Sequence, residues 1–379
     1  MAGTPSPVTP SVLEWALQED GRDHRAVAEA LDVDPDVLDA WLHGEARPTT
    51  GQVSDLAKVL KRPRALFFMP SAPQDAGLPT SFRHAPGELG RQVSVKARQH
   101  VRRARRVQQA VAWALRDADA LDVPRAVETA DPEVVAREAR AWLGVTTAQQ
   151  SSWRDDYAAL RTWRDALEDR GLLVFSLDIG RGDVRGFSAW DDKAPLVVTN
   201  SSGVNAAARS YTLMHELGHL LLRQDAACIE IKAADDNWVA VERWCERLGA
   251  AVLIPAEDLA AWARRRGLDS ADATLNDVSA AMKRYRVSAR AAALRLIYRN
   301  YAPPSLYDVV VAHFTPKPKG PDSTGHNPPR SVMRQRQYGD RALRTVLAAL
   351  PPRDALSVLR MQVDDVRALS DSVPGIREI

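Results

Sequence analysis

The chain predicts an α+β fold that is mostly helical, with an N-terminal all-α unit, a core carrying a small sheet, and a helical C-terminal unit. Three observations predict it. Short helical patterns with stop signals fill residues 11–70. Three brief strand-like runs, Leu172–Ser176, Gly186–Trp190 and Leu196–Thr199, fall close together. Almost everywhere else, apolar residues recur at spacings of three and four.

With 379 residues the chain can hold two or three domains and at least one large core. Hydrophobic residues make up 45% and charged residues 26%, and the formal net charge is only +2. No global field therefore draws the chain to nucleic acid or membrane, and any such signal must be local. Two cysteines, Cys228 and Cys245, give no disulfide framework and read as small buried hydrophobes. The leading residues MAGTPSPVTPSV lack a basic or apolar run, and no apolar stretch nears the ~18 residues of a membrane span. A cytoplasmic protein without a membrane partner is the expectation.

Each element has its own grounds. In residues 1–70, helices are predicted over Val12–Gln18, His24–Leu31, Pro35–His43 and Gly51–Leu60. Gly44 stops the third, and an apolar plug, Arg64–Pro70, closes the unit. Residues 71–150 are a linker followed by a long basic helix, about Arg91 to Ala118, with Val93, Ala97, Val101, Ala104, Val111 and Leu115 on one stripe. Residues 151–265 hold the three strands, with turn residues Asp191–Pro195 between the last two. Asn200-Ser201-Ser202 offers N-cap material for a helix from about Val204 to Leu222. A second helix, about Trp238 to Leu253, stops at Pro255. Residues 266–300 extend the core with helices, the proline-rich stretch 301–330 reads as an exposed linker, and 331–379 form a small helical unit.

The chemistry concentrates in His215-Glu216-Leu217-Gly218-His219. Imidazoles at i and i+4 lie on one helix face and can hold a single Zn²⁺, with Glu216 beside it as general base. Gly218 leaves room for a second helix or the metal. A catalytic zinc needs a third protein ligand, and Glu242 and Glu246, also i and i+4, are the downstream carboxylates. Glu242 is favoured as ligand, with Glu246 orienting a histidine. Cys245, between them, is a conceivable soft ligand on another face. Tyr211 reads as core packing, and His313 and His326 as linker residues without a catalytic part.

The run Arg209–His219, followed by Glu242 and by Gly249-Ala250-Ala251-Val252-Leu253-Ile254-Pro255, resembles the ImmA/IrrE family of metallopeptidases. The likeness spans about Leu172 to Pro255 and assigns the third ligand to Glu242. Glu246 stands where that family usually has Asn, and Ile254 where it has Met. The resemblance implies a zincin-like core and limited proteolysis of a helix-turn-helix repressor, relieving repression of a stress, phage or mobile-element operon. Phe82-Arg83 matches a recurrent element of the family. An edge strand, Leu196–Thr199, is expected to bind substrate backbone by strand addition.

Residues 12–70 resemble the Cro/C1-type (XRE) helix-turn-helix domain, through Arg25–Val33, Val37–Gly44 and Arg47-Pro48-Thr49. That likeness implies DNA binding, yet residues 1–70 carry seven basic and eleven acidic residues, a net of −4, which repels phosphate. Dimerisation or docking to a partner protein are the other uses of this unit. The long helix has seven Lys or Arg residues and no acid between Gly90 and Ala110. Arg98, Arg102, Arg103, Arg105 and Arg106 either neutralise phosphates or pair with acids of a neighbouring unit, the acidic first unit among them. Taken together, the sequence predicts a zinc endopeptidase with a protein substrate. The rival is a DNA-binding or antitoxin-like regulator whose zinc domain serves as a sensor or docking unit.

Overall fold

Local capping chemistry decides where the first helices lie. α1 (Pro10–Asp20) begins on proline and stops at Gly21. Asp23 caps α2 (His24–Leu31), Asp34 caps α3 (Pro35–His43), and a reciprocal Thr49–Gln52 pair caps α4 (Thr50–Val59). Leu13, Leu17, Ala28, Leu38, Trp41 and Leu56 close one core, into which the 3-10 turn Arg64–Phe68 inserts Phe67. The computed structural model describes residues 4–73, 82–83, 94–181, 184–223, 236–268, 271–314, 328–371 and 373–376. Cys228 and His326 lie outside the described residues.

A two-residue strand, β1 (Phe82–Arg83), precedes the basic helix α5 (Val95–Ala114). Three helices follow, α6 (Pro132–Leu143), α7 (Thr147–Ser152) and α8 (Asp156–Asp169). Next come β2 (Leu173–Leu177), β3 (Gly186–Ala189) and β4 (Leu196–Asn200). The sheet order is β1-β3-β4-β2. β2 and β4 are parallel, from Leu173↔Leu196 to Leu177↔Asn200, and β3 runs antiparallel to β4, from Gly186↔Thr199 to Ala189↔Leu196. β4 is thus an interior strand. The expectation that Leu196–Thr199 forms a substrate-binding edge is corrected: β4 hydrogen-bonds β3 on one side and β2 on the other, so it has no open ladder.

Strand alternation gives the sheet two unlike faces. Leu173, Phe175, Phe187, Leu196 and Val198 face a core made with α5 and the C-terminal helices α15 (Arg330–Ala349), α16 (Pro352–Leu359) and α17 (Val363–Ser370). The described C-terminal helices lay their apolar stripe over the sheet, with the Tyr338 ring edge-on to Phe175 at 5.2 Å. Val174 and Val197 face the opposite core, built on α9 (Ala206–Leu221), α10 (Asp236–Leu253), α11 (Ala256–Arg265), α12 (Leu275–Tyr285) and α13 (Ala289–Tyr298). The stretch read as an exposed linker contains α14 (Leu306–His313), with Leu306 and Val310 buried in this same core. Two apolar residues one turn apart are too short a signal to outweigh the proline content.

Buried amides tie the layers together. Gln108 of α5 donates to the carbonyls of Ala189 and Ala194, at 3.0 and 2.8 Å, and so fixes both ends of the β3–β4 turn. Asn200 was expected as cap material for α9. Instead its Nδ2 donates to the carbonyls of Gly180 and Val184, and its Oδ1 accepts from the amides of Ile179 and Ser202. Asn205 caps α9.

α9 and α10 cross at unusually short range because glycine sits on both sides of the contact. A Cβ on Gly218 would lie 3.0 Å from Cys245 Sγ, and one on Gly249 would lie 3.1 Å from the His215 amide nitrogen. The C-terminus of α10 is held by side chains from three other elements. Arg140 donates to the Val252 carbonyl (2.7 Å), Gln150 to Leu253 (2.8 Å) and Arg295 to Ile254 (2.8 Å), which satisfies carbonyls a helix end leaves open. Gly249→Val would press a branched side chain onto the α9 backbone. It should destabilise the fold by about 1–3 kcal/mol in chemical denaturation, the usual cost of overpacking.

Candidate metal centre

From Ser210 to Leu221 every residue of α9 is buried, so this helix runs through the core rather than over it. His215, Glu216 and His219 are at most 2% exposed. A polar group so deep requires a partner. For the histidines that partner is on α10: His215 Nε2 stands 3.2 Å from Glu242 Oε2, His219 Nε2 stands 3.2 Å from Glu242 Oε1, and the two Nε2 atoms are 3.3 Å apart. Donors held about 2.0–2.2 Å from one tetrahedral ion lie about 3.3–3.6 Å from each other. The three donor atoms therefore stand close to the spacing of one face of a metal tetrahedron. Among the described residues, His215, His219 and Glu242 form the one group of three such side chains that could hold a metal ion.

Burial pushes the Glu242 carboxyl up, but hydrogen bonds from His215 and His219 outweigh it and hold the group well below the usual carboxylate range. Burial pulls the His219 ring down, but Cys245 and Glu242 outweigh that and raise it well above its ordinary value. The Glu242 carboxylate is thus ionised and faces a His219 ring that holds a proton where a cation fits, a proton that metal uptake must release.

Glu216 lies on the sheet side of α9. Ser188 of β3 donates to its Oε2 at 2.9 Å, and a Cβ built on Gly186 would come within 3.4 Å of its Oε1. Gly186 and Ser188 occupy alternate positions of β3, so the small and polar face of the strand carries the glutamate while Phe187 and Ala189 fill the opposite core. Ser188 was missed from sequence, although a small–apolar–small–apolar strand signals a face that something must approach. Cys245, read as a small buried hydrophobe, is fully buried; its thiol hydrogen-bonds the His219 ring and packs on Gly218, which places it behind a histidine of the candidate donor set rather than in that set. Glu246, expected to orient a histidine, lies outside the donor set, half-buried one turn beyond Glu242; its backbone carbonyl accepts from Tyr211, a buried residue as expected.

The basic helix is used largely inside the molecule. Arg102 donates to the Glu19 carbonyl at 3.0 Å, and Arg98 packs on Gly21 at the end of α1. Arg105 donates to Gln108 at 2.8 Å, and Arg103 lies over the Tyr338 ring at 5.4 Å. Arg62 of the first unit is paired with Glu19 at 3.6 Å and stacked on Trp15. Burial, aided by the charges of Arg102 and Arg106, pushes its guanidinium down to about 10. The acidic first unit is thus the neighbour of this helix.

Two outcomes follow from these contacts. The full chain should hold about one divalent metal ion, and His215→Ala, His219→Ala and Glu242→Ala should each lose it, whereas Glu246→Ala should keep it, as metal analysis after dialysis would read. Arg102→Glu should loosen the first unit from α5, seen as faster amide exchange in α1 with β2 and β4 unchanged.

None of the curated proteins matches the chain. No helix among the described residues is long and apolar enough to cross a membrane. The family model described as the IrrE N-terminal-like domain matches residues 167–297, from the end of α8 to α13, and so takes in both helices of the metal centre. That match supports a metallopeptidase domain over these residues.

Proposed function

We propose that this chain is a zinc-dependent endopeptidase that cleaves a protein substrate, a helix-turn-helix repressor, and so relieves repression in a stress, phage or mobile-element response. One observation carries the catalytic reading: a buried carboxylate, Glu216, is held by Ser188 directly beside a two-imidazole, one-carboxylate donor set. A metal site that served structure alone would have no use for that carboxylate. Two imidazoles and one carboxylate also match a catalytic zinc set, which leaves a coordination position for chemistry.

Zn²⁺ bound by His215, His219 and Glu242 would lower the pKa of a water and polarise the scissile carbonyl. The chain's own residues do the rest. Glu216 takes the proton of the attacking water and passes it to the departing amine nitrogen. Ser188, by donating to Oε2, fixes the rotation of the carboxylate so that Oε1 keeps its place on the Gly186 side. A Cβ at Gly186 would meet the Thr212 methyl at 2.5 Å and the Val198 carbonyl oxygen at 2.6 Å, so glycine there lets β3 lie this close to α9. Glu242 has 22% of its side chain exposed, far more than either histidine, so the centre opens to solvent on the α10 side. The choice of a repressor as substrate rests on the ImmA/IrrE resemblance, and the first helical unit is assigned a regulatory part on the same ground.

The test is co-expression with the product of a neighbouring repressor gene, with cleavage read by mass spectrometry. Glu216→Gln should retain the metal and cleave at least ~10²-fold more slowly, the low end for losing a general base. Ser188→Ala should slow cleavage by about 10-fold without loss of metal, through a less well oriented base. Undiminished cleavage by Glu216→Gln would remove Glu216 from this role.

A further inference from the structure

On the face of the sheet away from Glu216, α15 packs against both β2 and α5. The turn from α16 to α17 is joined to the start of α15 by Arg330 and Arg334, which donate to the Arg360 carbonyl at 2.8 and 3.2 Å. Between these elements hydrogen-bond donors gather without an acceptor. Tyr338 is 1% exposed. Burial pushes its hydroxyl up, and the charges of Arg103, Arg334 and Arg360 oppose that push. Arg103, lying over the Tyr338 ring, can approach the hydroxyl at most as a donor, so the O–H hydrogen has no acceptor among the described residues. Arg103 Nε and Nη2 and His100 Nδ1 are likewise enclosed without a hydrogen-bond partner. Buried polar atoms are nearly always matched, so a group of unmatched ones in a single corner calls for an explanation. The nearby carboxylates do not supply it. Asp178 is engaged by Lys96 at 3.1 Å and Asp365 by Arg330 at 3.4 Å. After burial itself, the groups that act most on Arg103 are Tyr338, Arg334 and Arg360, none of them a carboxylate.

We propose that this corner binds a terminal phosphate group, either inorganic phosphate or the phosphoryl end of a small monoester, held by Arg103, Arg334 and Arg360 with the Tyr338 hydroxyl beneath it. The phosphoryl oxygens are strong acceptors, and guanidinium forks match them in pairs. Such a group gives the Tyr338 O–H and the Arg103 nitrogens their missing acceptors and places negative charge among unopposed cations. Arg360 is exposed while Arg103 and Arg334 are half-buried, so entry is from the Arg360 side. A nucleic-acid backbone fits less well. Each of its internal phosphates carries a sugar on both sides and cannot bring its oxygens to a hydroxyl this deep, whereas an end group can. Bound there, the phosphate would tie α5, α15 and the α16–α17 turn together across the core that backs the sheet. The proposal is independent of the peptidase reading.

The experiment is isothermal titration calorimetry on the metal-loaded full chain, at ionic strength fixed with chloride. The probes are inorganic phosphate and phenyl phosphate, with phenol as control. Two variants keep the fold. Tyr338→Phe retains the buried ring, and Arg360→Gly places glycine at a left-handed position, φ 50°, which suits it better than arginine. The parent should bind either phosphate probe and not phenol, and both variants should bind at least ~10-fold more weakly, having lost a hydrogen bond to a charged group. Tighter binding of phenyl phosphate assigns the site to monoesters, and tighter binding of inorganic phosphate to the free ion. No binding by the parent, or equal binding by the parent and both variants, would overturn the proposal. Binding that survives in both variants but is lost in His215→Ala would do the same, by placing the phosphate on the metal. So would displacement of phosphate by a DNA hairpin without terminal phosphates, which would make the corner a nucleic-acid surface.

Discussion

The close crossing of α9 and α10 is the contact on which the rest of the structure depends. One carboxylate must reach two ring nitrogens that stand 3.3 Å apart on a different helix, and it does so through a short, direct approach. That approach exists because Gly218 faces Cys245 and Leu248 and because Gly249 faces the backbone at His215. Larger residues at both positions would move Glu242 outward by a side-chain diameter, and the donor set would open. The burial of the histidines follows from the same contact, since α10 covers the face of α9 from which they project.

A helix held so tightly must also be held in register. The carbonyls of Val252, Leu253 and Ile254 accept from Arg140, Gln150 and Arg295, which come from α6, α7 and α13. Arg140 and Gln150 are themselves joined at 2.8 Å, and Arg295 is further paired with Glu133. Burial pushes the Arg140 guanidinium down to about 10, and its hydrogen bonds and its place over Trp163 are what make so deep a cation tolerable. The polar core therefore acts as an anchor for the helix that carries Glu242.

On the other side of α9 the sheet has an equally definite task. β3 presents a glycine and a serine toward the helix and a phenylalanine and an alanine away from it. One face positions the Glu216 carboxylate, and the other joins α5 and α15–α17 in a second core. The basic helix and the C-terminal helices thus support the strand that supports Glu216, although neither touches the metal centre.

Much of this was legible in the residues. The His215–His219 spacing, the buried helix around it, the second helix with Glu242, the β3–β4 turn at Asp191–Pro195 and the four N-terminal helices are all local patterns, set by capping, periodicity and turn chemistry within a few residues. What the sequence could not decide was anything that depends on which distant segments meet. Strand order made β4 interior and left β3 to carry the outer pairing, because hydrogen bonding between strands is blind to their order along the chain. The same holds for Ser188 on Glu216, Cys245 on His219, Arg102 on the Glu19 carbonyl and the C-terminal helices on the sheet: each contact joins residues 26 or more apart in the chain. By itself the sequence determined which side chains are the candidate donors and the candidate base. Only tertiary packing decided their neighbours, since a burial partner is chosen by shape and by the need to satisfy every enclosed polar group.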